Sequence, residues 1–111
     1  MKKIKPHHHW QLQRLSALFL VLTLPFLGIF LLTLKGANYH QAMVAVRHPA
    51  LSAFLGLIIA VSLYHAALGL QVIVRDYLRG AAAKITLGSA YTAISLMMVI
   101  TLYSLIGIIS R

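Results

Sequence analysis

The chain has 111 residues, of which 60% are hydrophobic and only 10% charged, and its mean hydropathy is +0.87. A water-soluble domain of this length cannot hide so much apolar surface, so the composition excludes an ordinary soluble enzyme and points to an integral membrane protein. Ten Lys and Arg stand against one acidic residue, for a net charge of +9. They fall in short clusters between apolar runs, which suits lipid headgroups and leaves no basic face of useful size for nucleic acid. Cysteine is absent, which excludes disulfides and thiolate-held clusters.

Residues 1–14 read as a basic tail with Lys2, Lys3, Lys5 and Arg14, and with a run of three histidines, His7 to His9, too short for a usual affinity tag. The apolar stretch 15–34 is too long for a signal-peptide core and no small-residue cleavage site follows it, so it is expected to remain as a first membrane span. Pro25 lies midway along it, where a missing backbone donor is expected to kink or loosen a helix. The connector 35–49 contains Gly36, Asn38, His40 and Arg47 and has room for a short amphipathic segment at the membrane interface. A second span is expected at 50–74 and a basic connector at 75–84, where Gly80 offers a helix stop. The third span, 85–109, carries no charge, and Gly88, Ser89, Ala90, Ala93 and Ser95 in its first half allow close helix packing. Each run is long enough to cross a hydrocarbon core of ~30 Å as a helix, and none alternates with the period of two that a membrane barrel needs. The expected fold is therefore all-α, with three transmembrane helices.

Charge orients these spans. With three crossings, the N-terminal tail and the connector 75–84 share one side, with Lys2, Lys3, Lys5, Arg14, Arg75, Arg79 and Lys84, against Lys35, Arg47 and Arg111 opposite. The excess places the N-terminus and the second connector in the cytoplasm and the connector 35–49 outside it. Trp10, Tyr39 and Tyr77 fall near span ends, where aromatic belts form.

Three places in the sequence can carry chemistry. His65 lies inside the second span, and an ionisable residue there is expensive enough to suggest function. It suits an axial haem position or, equally, a hydrogen bond to a neighbouring helix; Gly69, one turn on, leaves room for a flat ring or another backbone. Asp76, the only acidic residue, follows His65 by eleven positions with Tyr77 beside it. Eleven residues make about three turns, so His65 and Asp76 share a helix face about 16 Å apart along the axis. A tyrosine hydroxyl can donate to a quinone carbonyl and an aspartate can relay protons; alternatively the pair is a solvated helix end with an aromatic anchor and an Asp–Arg pair three residues apart. Arg14 begins the first span, level with Asp76 and Tyr77, as a cation for a quinone oxygen or as a charge at the membrane boundary. Ser16 is similarly ambiguous. A single acidic residue cannot build a carboxylate dyad or a hard-metal cage, so any catalysis must be shared with other subunits.

Two segments resemble the D-type hydrophobic membrane anchor of succinate dehydrogenase. One is His9-Trp10 followed by Gln13-Arg14-Leu15-Ser16-Ala17, with Ser16 where the family more usually has Thr; the other runs from His65-Ala-Ala-Leu-Gly69 through Asp76-Tyr77. The resemblance covers nearly the whole chain and implies a role for each matched residue. His65 takes the position of an axial ligand of haem b, the other ligand coming from a C-type cytochrome b anchor subunit. Tyr77, Asp76 and Arg14 take the positions of the ubiquinone site, and Trp10 that of an interface residue. The implied partners are the C-type anchor, an iron–sulfur subunit and a flavoprotein subunit, docked at the cytoplasmic face of a bacterial inner membrane. The implied function is to pass electrons from succinate oxidation to the quinone pool. An anchor of a quinol:fumarate reductase and a non-redox membrane adaptor are the other readings.

Overall fold

The structure is a computed structural model that describes residues 6–110. Lys2, Lys3, Lys5 and Arg111, which enter the charge count above, lie outside the described residues. Four helices follow in order: α1, Pro6–Thr33; α2, Tyr39–Val46; α3, Pro49–Tyr77; and α4, Gly80–Ser110. Among the described residues there is no strand. The three long helices are each long and apolar enough to cross a membrane, so the expected all-α fold with three spans is what the chain adopts.

Local chemistry explains where the helices begin and end. Asn38 opens α2 with a reciprocal capping box, in which its side chain accepts the Gln41 N–H at 2.8 Å while the Asn38 N–H donates to Gln41 Oε1 at 3.0 Å. Two otherwise unpaired backbone donors are thereby satisfied, and the short segment expected in the first connector is this helix. Pro49 occupies the first turn of α3, where its missing N–H costs nothing. At the far end the Leu78 N–H closes the last turn on the Val74 carbonyl at 2.7 Å. Gly80, expected as a helix stop, instead opens α4. It does so at φ +63°, a left-handed backbone that glycine adopts without steric cost, so the reversal needs only Leu78 and Arg79 between the helices. α1 starts at Pro6 and runs through Pro25 without interruption, leaving the Val21 carbonyl without its usual helical N–H partner.

α1 begins well ahead of its apolar stretch and ends at Thr33, and α3 and α4 run past theirs at both ends. α3 lies in the middle: α1 packs on it, α4 packs on it, α1 and α4 do not touch, and α2 rests against α3 and α4. The body measures 50 × 25 × 23 Å, long enough to cross a bilayer. Among the described residues, Ile58, Leu68 and Val74 are the only buried apolar ones, all three on α3. The outward faces carry residues such as Phe26, Leu32, Ile85 and Ile106, as expected of helices that are apolar all round and surrounded by lipid or by other spans. Hydroxyls on these faces bond backward along their own helices, Thr23 to Phe19, Thr92 to Gly88 and Thr101 to Met97, each at 2.8 Å, and so avoid an unsatisfied donor in hydrocarbon.

Candidate functional site

The polar residues converge where the N-terminal half of α1 meets the C-terminal half of α3. The two helices are antiparallel, so the start of α1 and the end of α3 share one end of the bundle. The α3–α4 link therefore lies at the same end as the start of α1. Two hydrogen bonds fix the register. The Ser16 hydroxyl lies 2.8 Å from His65 Nδ1 and also donates to the Gln13 carbonyl one turn back, at 3.0 Å. Higher up, His9 Nε2 lies 3.2 Å from the Leu68 carbonyl. Ser16 is only 7% exposed, so water does not compete for its hydroxyl.

Beside these bonds lies a cavity of about 540 Å³, lined from α1 by His9, Trp10, Gln13, Arg14 and Ala17, and from α3 by His65, Gly69, Val72 and Ile73. The α3 residues form the stripe one, two and more turns beyond His65 that leads on to Asp76. A Cβ built on Gly69 would meet only Gln13 Nε2, at 3.7 Å; beyond that contact the glycine leaves its side of the cavity open. The Arg14 guanidinium lies over the Trp10 ring, 5.6 Å from its centroid, so an aromatic face steadies the charge at the cavity rim. The Gln13 side-chain oxygen is buried there without a partner among the described residues.

The sequence candidates are therefore brought together in part. His65, Arg14 and Trp10 line one cavity. Asp76 and Tyr77 stand at the end of the same helix but outside that cavity, both exposed, with Tyr77 at 83%. No ion pair joins Asp76 to Arg14, Arg75 or Arg79 among the described residues. Sequence reasoning gave no site role to His9 and Gln13 and left Ser16 undecided. A signal was present: His9 and Ser16 are two turns apart, with Gln13 between them on the same flank of α1, so the polar residues already formed one stripe.

A helical membrane protein whose polar site opens between its first two long helices is the class of protein that this fold and site define. The chain belongs to the succinate dehydrogenase/fumarate reductase transmembrane subunit family, whose pattern matches residues 1–106. Among its relatives, the succinate dehydrogenase hydrophobic membrane anchor subunit of Rickettsia felis is 39% identical over 70 residues, 63% of this chain and 58% of that one. The subunit of the same name from Rickettsia bellii is 33% identical over 93 residues, 84% and 74% of the two chains. That of Rickettsia prowazekii is 34% identical over 71 residues, 64% and 57%. The match thus spans less than two thirds of the Rickettsia felis subunit. No solved structure matches the chain significantly.

Proposed function

We propose that the chain is a D-type membrane anchor of a bacterial succinate dehydrogenase, lodged in the inner membrane with its N-terminus and the α3–α4 link on the cytoplasmic side. It holds the iron–sulfur and flavoprotein subunits to the membrane, packs against a C-type anchor, and helps to form the site where ubiquinone receives electrons from succinate. The spans expected at residues 15–34, 50–74 and 85–109 fall on α1 (except Leu34, in the turn after it), α3 and α4, and are the stretches that lie in hydrocarbon.

The observation that carries this reading is the placement of His65. An imidazole facing an intramembrane cavity, with Nδ1 engaged and Nε2 unpartnered among the described residues, fits a group that needs one nitrogen ligand from this chain. Haem b suits it: a single His from each of two helices can hold the iron, and Gly69 leaves space for a flat ring. Among the described residues no cluster of three or more His, Asp or Glu side chains gathers for a metal ion, which a one-ligand contribution does not require. When bound, haem b supplies a one-electron carrier. His65 would hold it, Arg14 and Gln13 would offer hydrogen-bond donors at the cavity rim, and Trp10 would close the rim toward a partner. Tyr77 donates its hydroxyl to a quinone carbonyl nearer the membrane surface, with Asp76 beside it to pass protons.

The family's own description covers fumarate reductase as well, and an anchor of that enzyme would use the same residues with electron flow reversed. An optical spectrum of the purified complex tests the proposal. The expected result is a b-type haem absorbance that His65→Ala removes. Absence of b-type haem bands, together with quinone reduction that survives His65→Ala, would leave His65 as an interhelical bond.

A further inference from the structure

We propose that Ser16 is a positioning residue for His65, holding its ring in the tautomer that presents Nε2 as a bare lone pair. This rests on the reading of His65 as an iron ligand and adds the residue that makes it one. A serine hydroxyl has one hydrogen and two lone pairs. Ser16 Oγ makes two contacts at hydrogen-bond distance, 3.0 Å to the Gln13 carbonyl and 2.8 Å to His65 Nδ1. The carbonyl can only accept, so the hydroxyl hydrogen goes to it. The contact with Nδ1 is then satisfied only if Nδ1 carries the ring proton and donates to Oγ. A neutral imidazole has one such proton, so Nε2 is unprotonated. With the hydroxyl donating to Nδ1 instead, two acceptor oxygens would face each other at 3.0 Å with no proton between them.

The bond also fixes the ring plane. Ser16 is set by a backbone bond within α1, and His65 belongs to α3, so ring orientation depends on the packing of two helices. Ligating histidines are typically oriented in this way by a group on the far nitrogen, and loss of that group weakens metal affinity by about 10–100-fold. Ser16 lies too deep to act as a surface contact, and it does not line the cavity itself. It therefore acts through His65.

The test uses the intact purified complex carrying Ser16→Ala, Ser16→Cys or Ser16→Thr. Ser16→Ala is expected to release haem about 10-fold faster or more to an added apo-haem acceptor. It is also expected to shift the low-spin haem resonance in the electron paramagnetic spectrum, which reports ligand-plane orientation. Ser16→Cys, similar in size but a far weaker hydrogen-bonding partner, reads the same loss with the space filled, should alanine impair assembly. Ser16→Thr keeps the hydroxyl and is expected to restore both readouts. Unchanged haem release and an unchanged resonance in the assembled Ala or Cys complex would overturn the assignment. His65→Ala separates this from the underlying reading: a complex that keeps its haem spectrum without His65 overturns the ligand itself, whatever Ser16 does.

Discussion

Tyr77 is the residue on which the quinone proposal turns. Its hydroxyl is exposed and has no partner among the described residues, so removing it changes nothing inside this chain. Tyr77→Phe should therefore leave assembly and thermal stability as they are and slow quinone reduction roughly five-fold, the equivalent of one neutral hydrogen bond of about 1 kcal/mol. Succinate oxidation by a soluble dye that bypasses the membrane should be unaffected, and unchanged quinone kinetics would remove Tyr77 from the site. Gly69 gives a second prediction at this scale. Gly69→Ala meets only an ordinary contact with Gln13 and should retain haem, whereas Gly69→Phe fills the cavity and should lose it, as read from the haem absorbance per complex. His65, Asp76 and Tyr77 were legible because an ionisable or phenolic group stands out against apolar neighbours. Ser16 was not, because a hydroxyl in a membrane helix usually bonds its own backbone, as Thr23, Thr92 and Thr101 do. Whether it also reaches another helix depends on a register that neither α1 nor α3 encodes alone.

At the scale of the elements, α3 is positioned by the small residues that let its neighbours approach. A Cβ on Gly56 would come within 2.9 Å of Leu105 Cδ1 on α4. That methyl is the end of a flexible side chain, so Gly56→Ala should cost little. Gly56→Leu must push the two helices apart, at about 1–3 kcal/mol for overpacking, and should lower the Tm of the complex without moving the haem spectrum, because the α1–α3 cleft lies on the other side of α3. Hydropathy pointed to the three long helices, since crossing a bilayer demands apolar length. It located the helix ends poorly. His7 to Arg14 are polar enough to read as a tail, yet they continue α1 and supply His9, Trp10, Gln13 and Arg14 to the cavity. A polar segment can be helical where it leaves the hydrocarbon, and hydropathy alone does not see that. Gly80 opens α4 instead of stopping α3, because the chain turns there at a φ of +63° that composition does not specify.

At the scale of the whole molecule, one chain buries too little of itself to stand alone. α4 has no buried residue, and both α1 and α4 leave large apolar faces uncovered. Within a bilayer that exposure carries no hydrophobic penalty, so it demands lipid or further spans rather than a soluble partner. Orientation is what such a molecule must get right, because the proposed quinone site and the docking face both depend on the side to which α3 delivers Asp76 and Tyr77. Part of the charge that sets that side is carried by Lys2, Lys3 and Lys5, which precede the described residues; His9 bonds to the Leu68 carbonyl, so the start of α1 lies at the same end as the end of α3. The absence of cysteine makes the remaining question directly measurable. His40 on α2 and Ala81 on α4 are both exposed and lie at opposite ends of the bundle, and replacing either leaves every Lys and Arg in place. In intact spheroplasts, an impermeant maleimide should label His40→Cys and spare Ala81→Cys until the membrane is permeabilised. The reverse pattern would put Tyr77 on the outer face, away from any cytoplasmic source of electrons from succinate, and the proposed docking could not stand.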